Sequence, residues 1–464
     1  FAKLIDRLGL KAPQGNALAE EPAHEMTCES ETITAVDRAE ELLSLWQRRD
    51  HVSCLVLPDL NGLAVEWDEK GGRKAALFFA DRLEGYNDFL RRFFSAGIQK
   101  ISHNVKDLMN TLLAEGLSTD GFVFDTALAA YLLAPTDGSY DLERLSVTYF
   151  GFESPKAEAY LNKSAFGPMA IPEECTAAVD AMTSHAVLVE LLYEEFSKRL
   201  QELGLEKVYY QVELPLCPVL AEMERAGVLV DRKALAQFGE TLDQRLRLDE
   251  SAIYELAGET FNINSTQQLG HILFDKLSLP PVKKTKTGYS TNVEVLEKLR
   301  GQHDIIDCIL EYRQYAKLKS TYVDGLIKVI EEDGRIRTSF QNTVTATGRL
   351  SSTEPNLQNI PVRTELGARL RYMFVAGPGN VLVDADYSQI ELRILAHMAD
   401  DKTMQAAFMS GEDIHTATAA QVFGVPVEEV SHEMRRRAKA VNFGIVYGIS
   451  AFSLSDDIKV SVAE

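Results

Sequence analysis

A chain of 464 residues, 45% of them hydrophobic, is too long for one core and apolar enough to fill several, so about two to four domains are expected. No apolar run approaches the roughly 20 residues of a membrane helix, and the opening FAKLIDRLGL lacks a signal-peptide pattern, so a cytoplasmic protein with no membrane partner is expected. The formal net charge of -21 speaks against nucleic-acid binding by the chain as a whole, but Arg and Lys gather in RQYAKLKS, TGRLSS, PVRTELGARLR and MRRRAKA, which places any such surface in the second half.

Residues 1–30 are rich in Ala, Pro, Gly and Glu and read as a linker or tail. From 31 to 200, short apolar strands (VSCLVL, LAVEW, ALFFA) alternate with helical patterns (DTALAAYLLA, AVLVELLYEEF), which predicts an α/β domain. From 201 to 325 the pattern is long helices, interrupted by the basic, turn-like LPPVKKTKTGYST. From 326 to 400 the strand-like RIRTSFQ and GNVLVDADYS bracket the polar TATGRLSSTEPNLQNIPVR, as in part of a mixed α/β domain. From 401 to 464 the chain reads as helical, with DIHTATAAQVF and HEMRRRAKAVNFGIVYG the clearest segments. Cys28, Cys54, Cys175, Cys217 and Cys308 form no CxxC pair and stand by no His cluster, so reduced thiols are expected. The start at Phe1 and the break at VSVAE read as part of a longer protein.

Two segments carry chemistry. Asp386 ends the expected strand VLVDAD, where a carboxylate meets a ligand outside a sheet, and it is equally placed to cap the helix that follows. Glu391, five residues on, reads by spacing alone as a solvated helix residue. Arg435, Lys439, Phe443 and Tyr447 recur every fourth position, a face of two cations and two aromatics. In a generic helix the aromatics would be core and the cations solvated. His415, Arg349, Arg363, Lys317 and Lys319 would, taken singly, be ordinary structural or surface residues.

DYSQIELR matches motif A, and RRRAKAVNFGIVYG motif B, of the bacterial family A DNA polymerases. Together with INSTQQLGHILFDKL, KLKSTYVDGL and TATGRLSSTEPNLQNIPVR, the resemblance is nearly continuous from about Glu213 to Ala451. It implies an α/β multidomain fold: an RNase H-like 3′-5′ exonuclease-type domain (31–200), then the thumb (201–325), partial palm (326–400) and partial fingers (401–464) of a right-hand polymerase. The implied activity is template-directed DNA synthesis in replication and repair, transferring dNTP to a primer 3′-hydroxyl. The implied partners are primer-template DNA and dNTPs, and the implied enzyme is monomeric and nucleoid-associated. The resemblance assigns two magnesium ions to Asp386 and the Tyr387 backbone carbonyl, and exclusion of the sugar 2′-hydroxyl to Glu391. It assigns the triphosphate to Arg435, Lys439 and His415, the sugar and base to Phe443, and the templating base to Tyr447. Arg349 and Arg363 would contact primer and template, and Lys317 and Lys319 the duplex backbone.

The sequence departs from the family twice. In the first domain Leu57 or Pro58 stands where the exonuclease DTE would begin, Leu108 where an aspartate belongs, and Ala181 and His185 where tyrosine and aspartate belong. Asp59 and Asp107 miss by register, which repoints a side chain, so no proofreading is expected. The family's second catalytic aspartate would fall beyond Glu464, which leaves one carboxylate ligand outside this chain and makes weak synthesis by the fragment itself the expectation. A catalytically dead DNA clamp and a single-subunit RNA polymerase are the competing readings. Asp386, Lys439 and Tyr447 argue against the first, and Glu391 and Phe443 against the second.

Overall fold

The computed structural model describes residues 28–69, 72–162, 166, 172–285, 288–362 and 365–458. Arg363, most of the 1–30 linker and the side chain of Tyr447 lie outside what is described. The chain forms two compact units that divide between Asn380 and Val381.

In the first unit, β1 (Cys28–Ile33), β2 (Val52–Val56), β3 (Gly62–Glu69), β4 (Gly72–Phe79), β5 (Lys100–Ser102) and β6 (Phe122–Asp125) make one sheet in the order β1-β4-β3-β2-β5-β6. Short connections make β2, β3 and β4 an antiparallel meander. β5 and β6 run parallel to β2, and the helices Tyr86–Phe93 and Val105–Ala114 supply the crossovers that parallel pairing requires. β1 lies parallel to β4 at the outer edge.

Alternation along each strand explains why both faces are covered. Cys54, Leu63, Val65, Trp67 and Phe78 pack with the helices Val36–Trp46 and Tyr86–Phe93. Leu55, Ala64, Leu77 and Phe79 point the other way, toward the helices Thr126–Leu133 and Pro172–Glu202. The last of these corrects the expectation that no apolar run approaches membrane length. Its 31 residues contain an 18-residue window of mean hydropathy 1.3, but 61% of that window is buried against the sheet. Scattered charges hid it from a search for an uninterrupted apolar run.

Two carboxylates tie these elements together. Asp125, at the end of β6, accepts from Ala127 N (2.9 Å) and Leu128 N (3.3 Å), and also from Asn104 N (3.0 Å) and Val105 N (2.8 Å), so it caps two helices at once. Glu224, on the helix Leu214–Ala226, pairs with Lys106 at 2.7 Å, both side chains being about 5% exposed or less. Further along, the helices Arg232–Ala257 and Ile305–Lys317 pack together around Ile253, Leu273, Leu296, Ile306 and Ile309.

The second unit is helical: Ile390–Met398, Lys402–Ser410, Ile414–Phe423, His432–Tyr447 and Ala451–Ile458. Here the strand expected in GNVLVDADYS is overturned. No strand among the described residues pairs with 381–387, and Val381, Leu382 and Val383 are 80%, 61% and 83% exposed. Apolar, β-branched residues favour extended backbone, but a strand exists only with a ladder partner.

A buried polar cluster in the first unit sets a pH dependence. Glu66 on β3 is 1% exposed and 3.0 Å from Arg73, which also reaches Glu194 at 3.2 Å; beside them, Glu190 receives His51 (2.9 Å) and Ser53 (2.6 Å). Burial, and then the charge of Glu190, push Glu66 up to about 7. The native state therefore binds more protons than the unfolded chain between the ordinary carboxylate value and about 7, and stability falls as pH rises through that window. Glu66→Gln is expected to flatten the fall by roughly 3 kcal/mol at most, read as unfolding midpoints from pH 5 to 8. Parallel profiles for the two proteins would contradict it.

Candidate active site

The backbone turns from the 381–387 segment into the helix Ile390–Met398 at Gln389, which takes a left-handed φ of 54° and is the N-cap residue. This overturns the reading of Asp386 as a helix cap. It does not cap that helix; it stands exposed three residues earlier, beside the exposed Tyr387. The turn is held by Arg393, whose Nε donates to Ser388 O (2.8 Å) while its guanidinium lies 4.6 Å from the Phe408 ring centre. Glu391 sits half-buried in the first turn of the helix.

Asp413 organises the next helix pair. Its Oδ1 accepts from His415 N (2.8 Å) and Thr416 N (3.2 Å), capping Ile414–Phe423. Its Oδ2 receives Arg435 Nε (2.9 Å) and Nη2 (2.5 Å) from the helix His432–Tyr447. Burial alone would push the Asp413 carboxyl up, but Arg435 and the two amides outweigh it and hold it below the usual carboxylate range. Arg435, expected to hold phosphate, is thus already engaged by a carboxylate.

Lys439 is exposed on the same helix, its Nζ 5.9 Å from the ring of Phe443. Arg435, Lys439 and Phe443 therefore share the face that their spacing predicted. His415 does not stand open to a phosphate as expected. It is 2% exposed, its ring is 5.6 Å from that of Phe443, and Asn442 Nδ2 lies 3.1 Å from its Nδ1. Burial pulls its pKa down, which favours the neutral ring that accepts at Nδ1. Asn442 also donates to Thr418 Oγ1 at 3.1 Å. Gly444 makes room within its own chain, since a Cβ there would lie 2.5 Å from Ile449 Cγ2, and Gly448 ends the helix at φ 68°.

The remaining predicted residues lie in the first unit. Arg349 is exposed in the loop between the paired strands Ser339–Gln341 and Ser351–Thr353. Lys317 is exposed, and Lys319 pairs with Asp324 (2.8 Å), with Asp243 at 3.6 Å. At the exonuclease positions, His185 is fully buried between Tyr160 Oη and Pro155 O, each at 2.8 Å. Asp59 accepts from Asn61 N within its own turn (3.3 Å), and Asp107 pairs with Lys106 (2.6 Å).

Asp386 and the backbone carbonyl of Tyr387 offer oxygen donors only. No group of three or more His, Cys, Asp and Glu side chains among the described residues forms a cage. One carboxylate and a backbone carbonyl suit a hard ion such as magnesium, which takes one or two carboxylates and completes its shell with water and phosphate oxygens. Asp413 and Asn442 were missed by the sequence reading. DIHT does carry an N-cap signature, Asp followed by an apolar turn, whereas Asn442 carries no local signal.

The model of DNA polymerase family A matches residues 232–464. The chain is 44% identical over 366 residues to the DNA polymerase I of Caldicellulosiruptor bescii, covering 79% of this chain and 41% of that one. It is 48% identical over 354 residues to the DNA polymerase I of Bacillus caldotenax, covering 75% and 40%. The chain thus spans about two fifths of the length of these curated relatives. It is also similar to the POL domain of Pol1 from M. smegmatis, solved in complex with DNA primer-template and dNTP. The TM-score is 0.80 at 35% identity, over 94% of this chain and 74% of that one.

Asp413→Ala removes a cap and the partner of Arg435 together. The amides of His415 and Thr416 are expected to lose roughly 1–2 kcal/mol of protection in hydrogen exchange. Unchanged protection would show that the helix start does not depend on this carboxylate.

Proposed function

This chain belongs to DNA polymerase family A, and on that basis we propose that its full-length protein extends a primer 3′-hydroxyl with deoxynucleotides chosen by a template strand. The observation that carries the reading is the helix His432–Tyr447, which aligns Arg435, Lys439 and Phe443 in the same compact unit as Asp386 and Glu391.

The residues divide the work. Lys439, exposed, pairs with phosphate oxygens of the incoming nucleotide and offsets the charge that develops on the leaving pyrophosphate. Arg435 presents two nitrogens to one oxygen of Asp413, and a phosphate oxygen offers the same charge, so nucleotide binding exchanges one partner for the other. Phe443 supplies an apolar plate for sugar and base, and Tyr447, on the same helix, meets the templating base. His415 backs Phe443 from behind rather than touching phosphate. Glu391 occupies the place of a ribose 2′-hydroxyl and so disfavours ribonucleotides by crowding and by an undersolvated carboxylate. Magnesium, held by Asp386 and the carbonyl of Tyr387, would stabilise the attacking and leaving oxygens.

The rest of the chain fits the same reading. The order β4-β3-β2-β5-β6, a meander joined to two parallel strands, supports an RNase H-like domain over 31–200, with the thumb (201–325), palm (326–400) and fingers (401–464) following. Leu57 or Pro58, Leu108, Ala181 and His185 at its motif positions support a domain without proofreading activity. Arg349, Arg363 and Lys317 are assigned to primer-template DNA. The protein is proposed to act as a monomer at the bacterial nucleoid.

In the full-length protein, Asp386→Ala is expected to lower primer extension on the order of a thousandfold or more while leaving primer-template affinity nearly unchanged. Extension at the normal rate would remove Asp386 from the metal site. Glu391→Ala is expected to raise ribonucleotide incorporation relative to deoxynucleotide, measured by alkali-sensitive cleavage of the product. An unaltered ratio would overturn the assignment of Glu391.

A further inference from the structure

Tyr131 lies in the helix Thr126–Leu133 of the sheet domain, 2% exposed. A buried phenol needs an acceptor, and most find one nearby. This one donates to the backbone oxygen of Thr345 at 2.7 Å, 214 positions further along the chain. Thr345 opens the turn that carries Arg349: its Oγ1 donates to Arg349 O (2.6 Å), and its own carbonyl also receives Gly348 N (3.4 Å), with Gly348 at φ 80°. The peptide that accepts from Tyr131 is therefore part of the small ring that sets where Arg349 leaves the backbone.

A second tether holds the base of the same hairpin. Phe340 N donates to Glu224 at 2.7 Å, and Glu224 is the carboxylate that Lys106 and Asn110 of the sheet domain also engage. Tyr131 is itself well fixed. Asp125 caps its helix, Tyr209 Oη bridges Asp125 N (2.6 Å) and Asp125 O (3.1 Å), and the ring of Tyr140 meets that of Tyr131 edge-on at 6.0 Å.

We infer that the sheet domain braces the hairpin Ser339–Thr353, and that Tyr131 is a positioning residue which, through Thr345, presents Arg349 to primer-template DNA. The inference rests on the reading of Arg349 as a DNA contact. It gives a domain whose exonuclease positions are filled by Leu57, Leu108, Ala181 and His185 a task in synthesis that does not use those positions.

The test uses Tyr131→Phe, which removes one oxygen and leaves the packed ring, with thermal unfolding as the control for folding. Hydrogen exchange across 342–350 is expected to speed up on the order of tenfold, and binding of a fluorescent primer-template duplex to weaken roughly three- to tenfold. Arg349→Ala should weaken binding at least as much, and adding Tyr131→Phe to it should have no further effect. Unchanged exchange in 342–350 overturns the brace. Weaker binding in Arg349→Ala but not in Tyr131→Phe overturns the positioning role. Full binding by Arg349→Ala overturns the assignment of Arg349 itself, and the exchange result then still decides whether the brace exists.

Discussion

Asp413 accepts from two backbone amides through one oxygen and from the Arg435 guanidinium through the other, and the arrangement of the second unit depends on that double use. The first oxygen fixes where the helix Ile414–Phe423 begins; the second sets the rotation of the helix His432–Tyr447 against it. With Arg435 held there, periodicity dictates the rest: Lys439 projects to solvent and Phe443 comes to rest on His415. The same pair holds the guanidinium in one place. A surface ion pair of this exposure adds little stability by itself. Its value lies in fixing where the guanidinium stands before any ligand binds.

Carboxylates play a comparable part in the first unit. Asp125 starts two helices from the end of β6, and Glu224 gathers Lys106 and Asn110 from one helix and the Phe340 amide from a strand far along the chain. A buried ion pair is a weak source of net stability, but breaking one partner leaves an uncompensated charge, so such pairs fix geometry firmly. Through them and through Tyr131, the sheet domain reaches the hairpin that carries Arg349.

Much of this was legible in the sequence because it is periodic or local. Leu63, Val65 and Trp67 alternate with Ala64 and Glu66, and the sheet buries both sets. Arg435, Lys439 and Phe443 share a face because fourth neighbours must. What escaped depends on partners far away in the chain. The strand expected at 381–387 has the right side chains but no ladder among the described residues. The pairing of Lys319 with Asp243 and the cover that Asn442 and Phe443 give His415 likewise join residues well separated in sequence. The helix Pro172–Glu202 hid its hydropathy behind scattered charges, and nothing near Tyr131 announces an acceptor 214 residues on.

This chain is proposed to carry part of a site that selects a nucleotide by its match to a template. The most direct measurement uses the full-length protein, a primer blocked at its 3′ end so that no bond forms, and each of the four dNTPs in turn, with the stability of the protein-DNA complex as the readout. Only the dNTP complementary to the template base is expected to stabilise the complex, and the preferred dNTP is expected to change when the template base is changed. Equal stabilisation by all four, or by none, would contradict it.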